Sequence, residues 1–160
     1  MPDRAVILLV EDQDNDIQLV RRAFVKAQLP NPLRVVCSGD EATAYLAGQR
    51  KFANRAEFPL PRLVLLDLKL PGTDGFQVLR WIRKQPGLKS LIVVVLTSSD
   101  HIRDVNEAYN LGANSFMVKP TDFENIVELS KLLRDYWLMA NKAPEAFREP
   151  RFKGGQEAAT

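Results

Sequence analysis

The sequence predicts an α/β fold, a doubly wound sheet of five parallel strands with helices on both faces. Three observations predict it. Ala5–Val10, Leu63–Leu68 and Leu91–Leu96 are short, almost unbroken apolar runs, which suit strands buried on both faces of a parallel sheet. Segments with apolar residues at spacings of three and four lie between such runs, as amphipathic helices require. The chain has 160 residues and a mass of 18.1 kDa, enough for one core and too little for two.

Ala5–Val10 is the first strand. In Asp16–Leu29, the residues Ile17, Val20, Phe24 and Ala27 line one face of the first helix. Leu33–Cys37 is a weaker second strand. Ser38 and Glu41 stand at capping-box spacing and open the second helix. Gly48–Arg62 (GQRKFANRAEFPLPR) then breaks the rhythm, being longer than the roughly two to six residues usual for such a connection. Leu63–Leu68 is the third strand. Phe76, Leu79, Ile82 and Arg83 mark the third helix, which stops near Pro86-Gly87 and whose Arg80–Lys84 stretch reads as a solvated edge. Leu91–Leu96 is the fourth strand. Asp100 is a candidate cap for a fourth helix that carries Ile102, Val105, Ala108 and Tyr109 and ends at Leu111-Gly112. Ser115–Val118 is a weaker fifth strand. Thr121 and Glu124 repeat the capping-box spacing before a fifth helix with Ile126, Leu129, Leu132, Leu133, Tyr136 and Trp137. Strand–helix alternation with short connections implies right-handed crossovers. Residues 1–140 make the domain. Residues 141–160, with two prolines and two adjacent glycines, are expected to be an irregular extension that docks through Phe147 or Phe152.

Charge and composition exclude several functions. Lys plus Arg is 22 and Asp plus Glu is 20, and a net charge of +2 is too small for a nucleic-acid footprint. The apolar runs fall far short of the ~20 residues that span a bilayer. Met-Pro-Asp-Arg is not the start of a signal peptide. A single cysteine makes no intramolecular disulfide, so the expected location is a reducing cytoplasm, with no membrane partner. Cys37 reads as a small buried apolar residue, and His101 as a surface residue without a metal or catalytic role. Trp81 and Trp137 read as packing or interface residues. No Gly-rich phosphate loop is present, so a nucleotide site lacks its main feature.

In an open parallel sheet, ligands gather at the carboxyl ends of the strands. Glu11, Asp12, Asp14 and Asp16 follow the first strand, Asp67 closes the third, Thr97, Ser98 and Ser99 follow the fourth, and Lys119-Pro120 follow the fifth. Glu11, Asp12 and Asp67 crowded together repel one another and call for protonation or a cation. A hard divalent ion answers that need, and Mg²⁺ suits oxygen ligands and phosphate together. A carboxylate beside Mg²⁺ and a lysine is set up to attack phosphorus and become an aspartyl phosphate. Mg²⁺ and the Lys119 ammonium would stabilise the transferring charge, and the Thr97 hydroxyl would donate to a phosphoryl oxygen.

These residues resemble the response-regulator receiver domains of two-component signalling. The resemblance rests on Glu11-Asp12, on Asp67 in LLDLKLPGTDG, on Thr97 in VVVLTSS and on Lys119-Pro120 in GANSFMVKP, and it covers roughly Ala5 to Met139. It implies the (βα)5 flavodoxin-like fold with strand order 2-1-3-4-5. It implies Asp67 as phosphoacceptor with Lys119 and Thr97 as catalytic partners, and Thr97 with Phe116 as a switch pair. Asp12, Asp67 and the Lys69 backbone carbonyl would hold Mg²⁺, or Mn²⁺ in its place, and Glu11 would act through a metal-bound water. The Lys119–Pro120 peptide would be cis. The implied partners are a sensor histidine kinase, a second copy docked through helix 4, strand 5 and helix 5, and a downstream protein that the sequence does not name. Tyr109, Phe123, Tyr136 and Trp137 are candidates for that face. Catalysis would extend only to the chain's own phosphorylation and dephosphorylation.

The single domain, the basic and aromatic Gly48–Arg62 insertion and the C-terminal extension further resemble the regulators paired with phytochrome-type histidine kinases. Two positions depart from the common receiver pattern. Ser98 replaces a small apolar residue beside the phosphoryl group, and Lys69 sets a long cation two residues after the acceptor. Both bear on water access and so on the lifetime of the phosphorylated state. Two other readings remain open on the residues. A phosphate-independent binding module would not need the acidic pair or Lys119. An Asp-nucleophile phosphatase would need a second Asp two residues after the first, where this chain has Lys69. Taken alone, Thr97 is a β-branched strand end and Phe116 plain core.

Overall fold

The structure is a computed structural model that describes residues 5–144. Its strands are β1 (Ile7–Val10), β2 (Leu33–Val36), β3 (Leu63–Leu66), β4 (Ile92–Thr97) and β5 (Ser115–Val118). Its helices are α1 (Asp14–Lys26), α2 (Gly39–Ala47), α3 (Gly75–Lys84), α4 (Ile102–Asn110) and α5 (Phe123–Leu132). A 3₁₀ turn spans Arg50–Phe52, and α5 runs on into a π-helical segment, Leu133–Ala140. The five strands are all parallel, in the order β2-β1-β3-β4-β5, which bears out the expected fold.

Strand alternation explains the unbroken apolar runs. Leu8, Val10, Val64, Leu66, Val93 and Val95 point to one face, where α2, α3 and α4 cover them with Ala42, Leu46, Val78, Leu79, Ile82 and Ala108. Ile7, Leu9, Leu63, Leu65 and Val94 point to the other, under Ile17, Val20 and Phe24 of α1 and Leu133 and Leu138 beyond α5. Every residue of β1, β3 and β4 is buried. Each such side chain contributes about 1.5–3 kcal/mol. The three central strands are therefore the rigid part of the molecule.

Helix starts differ in detail from the sequence reading. Ser38 caps α2 by accepting the Glu41 N–H at 3.1 Å, but the Glu41 carboxylate accepts from the Cys37 N–H instead of closing the box on Ser38. That arrangement leaves Cys37 exposed beyond the edge strand β2, not buried as expected. The complete capping box belongs to α3, between Asp74 and Gln77. At α5 the cap is Asp122, accepting from the Asn125 N–H at 2.8 Å, in place of Thr121, because a carboxylate serves the helix N-terminus better than a hydroxyl. His101, not Asp100, stands at the start of α4, where the Ser99 hydroxyl donates to Asp104 at 2.6 Å.

The 48–62 insertion extends the core on the α2 side of the sheet. Phe52 and Phe58 stack against Tyr45 and each other at centroid distances of 5.1, 6.0 and 5.2 Å. Arg55 donates to the Tyr45 and Leu46 carbonyls at 2.7 Å, satisfying the end of α2 where Gly48 turns away at φ +68°. Phe147 and Phe152, the expected docking residues of the tail, lie outside the described residues.

Arg83 is not a solvated edge. Its guanidinium donates to the carbonyls of Gly112 (2.7 and 2.9 Å), Leu91 (2.8 Å) and Lys89 (3.0 Å) and to Asn114 Oδ1 (2.9 Å). The planar fork thereby ties α3 to the loops that lead into β4 and into β5. Arg83→Met is expected to lower stability by about 3 kcal/mol, and Arg83→Lys to recover little of it, because an ammonium cannot span these acceptors. Urea denaturation of both variants measures this; a full recovery by lysine contradicts it.

Candidate functional site

The ends of β1, β3 and β5 set the site. The Glu11 N–H donates to the Val36 carbonyl at 3.0 Å, the Asp67 N–H to Val10 at 3.1 Å, and the Lys119 N–H to Thr97 at 2.7 Å. The sheet bonding thus extends past each strand and fixes the backbone from which each charged side chain leaves. The β3–α3 turn is held from below. A Cβ on Gly75 would stand 2.2 Å from the Asp67 carbonyl oxygen, so only glycine lets α3 begin there.

The Lys119 ammonium is the centre of the cluster. It donates to Glu11 Oε1, to Asp16 Oδ2 at 3.0 Å and to Asp67 Oδ2 at 3.1 Å. Glu11 Oε2 accepts from the Gln13 N–H at 3.1 Å, and Asp67 Oδ1 from the Lys69 N–H at 3.2 Å. Carboxylate oxygens of Glu11, Asp12 and Asp67 lie within 4.8 Å of one another. Glu11 and Asp67 are buried, at 1% and 5% exposure. Asp12 Oδ1 is buried too and has no hydrogen-bond partner. A converging acidic set with one donor atom left over fits a hard divalent cation.

The charges respond to this crowding. Burial raises the Glu11 carboxyl above its ordinary value, and the nearby Asp67 charge adds to the rise, against the opposing bond from Lys119. Burial alone would depress the Lys119 ammonium, but its bonds to Glu11 and Asp16 and the charge of Asp67 outweigh that and raise it. Lys119 is therefore a fixed cation at any physiological pH.

Thr97 is fully buried and its hydroxyl has no partner. Alternation sets it on the same sheet face as Val93 and Val95, and Phe116, register partner of Val95, packs half-buried on that face. Ser98 and Lys69 are both exposed. The Lys119–Pro120 peptide, expected cis, is trans, as is every described peptide bond, in line with the intrinsic preference of an X–Pro amide. The reading of the sequence missed Asp16 as a partner of Lys119. It appeared there only as the last member of an acidic run, and in the structure it also sits in the first turn of α1.

Residues 7–131 match the response regulator receiver domain family. A probable methanogenesis regulatory protein, FilR2 of Methanothrix harundinacea, is 36% identical over 142 residues, covering 89% of each chain. Response regulator Rcp1 of Synechocystis sp. is 36% identical over 141 residues, 88% of this chain and 94% of its own. The crystal structure of its Mn²⁺-bound form superposes with a TM-score of 0.79 at 35% identity, covering 88% and 99% of the two chains. The phosphorylated cyanobacterial phytochrome response regulator RcpA superposes with a TM-score of 0.81 at 35% identity and the same coverage.

Lys119→Met strips Glu11 and Asp67 of their buried cation. Stability at pH 8 is expected to fall by about 3 kcal/mol. The Glu11 carboxyl, already above 4.5 in the folded state, rises further in this variant. A raised folded value means that protonation favours folding, so the loss shrinks toward pH 5 and grows as pH climbs past the unfolded value. Urea denaturation at both pH values checks this; equal losses contradict it.

Proposed function

The chain belongs to the response-regulator receiver family, and on that premise we propose that it accepts a phosphoryl group on Asp67 from a phosphohistidine of a sensor kinase, in a Mg²⁺-dependent reaction. The observation that carries this reading is the buried Asp67 carboxylate, bonded to Lys119 and converging with Glu11 and Asp12. In the step, a carboxylate oxygen of Asp67 bonds to phosphorus as the P–N bond breaks. The bonding pair stays on the imidazole nitrogen, which takes up a proton. Lys119 places its positive charge where the phosphoryl oxygens gather. Asp12, Asp67 and the Lys69 carbonyl would hold Mg²⁺, or Mn²⁺, with Glu11 acting through a metal-bound water, and the ion would supply the further positive charge that phosphoryl transfer demands. Ser98 and Lys69, both exposed, govern how water reaches the phosphoryl group and so how long it lasts. The chain catalyses nothing beyond its own phosphorylation and dephosphorylation.

The signal leaves through the switch pair. A buried, unpartnered hydroxyl costs about 1–3 kcal/mol, and a phosphoryl oxygen relieves that cost for Thr97. Its movement opens space into which Phe116 turns. The face that reads the change is α4, β5 and α5 with its continuation, where Tyr109, Val118 and Tyr136 are exposed at 48, 45 and 56%. A second copy or a downstream protein docks there, while Phe123 and Trp137, half-buried, contribute less. Residues 1–140 act as the receiver and 141–160 as a C-terminal extension. The likeness to RcpA, a phytochrome response regulator, supports a phytochrome-type kinase as the phosphodonor. No described helix is long and apolar enough to cross a membrane.

Incubation with a radiolabelled, phosphorylated histidine kinase tests the proposal. The wild-type chain is expected to take up label, and both Asp67→Asn and chelation of divalent ions to abolish uptake. Persistent labelling of Asp67→Asn refutes the assignment. A companion measurement is the response to beryllofluoride with Mg²⁺, read by oligomeric mass and by the NMR signals of Phe116. Thr97→Ala is expected to keep beryllofluoride binding and lose the Phe116 shift; a shift of wild-type size in Thr97→Ala contradicts the switch.

A further inference from the structure

We propose that Asp16 is a positioning residue for Lys119, holding its ammonium over Asp67 through the change of partner that phosphorylation imposes. The proposal rests on the phosphoacceptor reading above for its consequence, but not for its geometry. An ammonium has three N–H donors, and here all three are taken, by Glu11, Asp16 and Asp67. The three acceptors come from different elements: the end of β1, the first turn of α1 and the end of β3. Asp16 is not one of the three carboxylates that converge for a cation. Its side chain is 37% exposed whereas that of Lys119 is 15% exposed, so it closes the ammonium from the solvent side.

The tripod matters because one leg is consumed. When Asp67 becomes an acyl phosphate, its carboxylate is lost as a partner and that N–H must turn to a phosphoryl oxygen. Glu11 and Asp16 are then the two anchors that keep Nζ in place. Packing leaves part of that task to them. Lys119 and Asp16 both line an apolar cavity of about 30 Å³ between α1 and α5, beside Leu19, Val20, Leu96 and Leu129. A flexible four-carbon stem next to an unfilled gap depends on the tethering of its charge for a defined end. Without Asp16, one anchor remains and the third N–H faces water.

Two readouts on the full chain test this. The first is the side-chain ¹⁵N signal of the Lys119 ammonium, which reports how firmly that group is held, with or without phosphorylation. It is expected to be sharp in the wild type, to broaden away in Asp16→Ala and to return in Asp16→Asn, whose amide oxygen still accepts a hydrogen bond. The second is the rate of phosphorylation by acetyl phosphate at saturating Mg²⁺ and donor. It is expected to fall about tenfold in Asp16→Ala and to recover most of that loss in Asp16→Asn, since small misplacements of a positioned group are costly. A merely structural role at the start of α1 would leave the ammonium signal unchanged. A sharp Lys119 signal in Asp16→Ala overturns the positioning role. An Asn variant as slow as the Ala variant, with its signal restored, overturns the link to phosphorylation rate. A wild type that takes up no phosphate, with an ammonium signal that still depends on Asp16, supports the tether and defeats the phosphoacceptor reading instead.

Discussion

One ammonium group organises the functional end of this molecule. Lys119, leaving the end of β5, binds carboxylates from β1, α1 and β3, elements that have no other reason to bring like charges together. Without it, Glu11 and Asp67 would be two buried anions in contact, an arrangement that proteins avoid by protonation or by unfolding locally. With it, both carboxylates have a cationic partner, although burial, and after it the charge of Asp67, still hold the Glu11 carboxyl above its ordinary value. A site held in that condition has capacity for more positive charge and for an incoming phosphoryl group.

The charge cluster stands on a sheet that is buried and fully laddered. β1, β3 and β4 are buried along their whole length, and backbone bonds carry the ladder one residue past the strands to Glu11, Asp67 and Lys119. Two buried polar atoms without a hydrogen-bond partner, Asp12 Oδ1 and the Thr97 hydroxyl, lie at the edge where that rigid platform ends; Asn141 Nδ2, beyond the π-helical segment, is another. Unsatisfied groups at the edge where ligands gather are what a functional site leaves for its ligand. The loop after β4 is fastened from elsewhere, through Ser99 to Asp104, so Thr97 stands between a fixed strand and a fastened helix start. Movement of its side chain therefore has a short path to α4.

Much of this was legible in the residues. Unbroken apolar runs announced parallel strands because both faces of the sheet are covered, and the residues following each run marked the site because parallel strands deliver their ends to one edge. What stayed hidden depended on contacts across the fold. Arg83 looks like a surface cation in its helical pattern, and only the positions of the loops leading into β4 and β5 turn it into a staple. Asp16 looks like a first-turn acid that favours the helix dipole, which it also is, and its bond to a lysine more than a hundred residues away carries no local signal. Cys37 was misread because burial at a strand end depends on which strand is the edge. Caps were misplaced by a residue or two wherever several Ser, Thr and Asp residues competed for the same N-terminus.

The central claim is that the carboxylate gathered at Lys119 from β3 becomes an acyl phosphate. Borohydride reduction of the chain after phosphotransfer, followed by peptide mass spectrometry, tests it at single-residue resolution, because reduction of an aspartyl phosphate leaves homoserine. The account predicts homoserine at position 67 alone, and only when a divalent cation was present during transfer. Reduction at another acidic residue, or at position 67 irrespective of the cation, would contradict it.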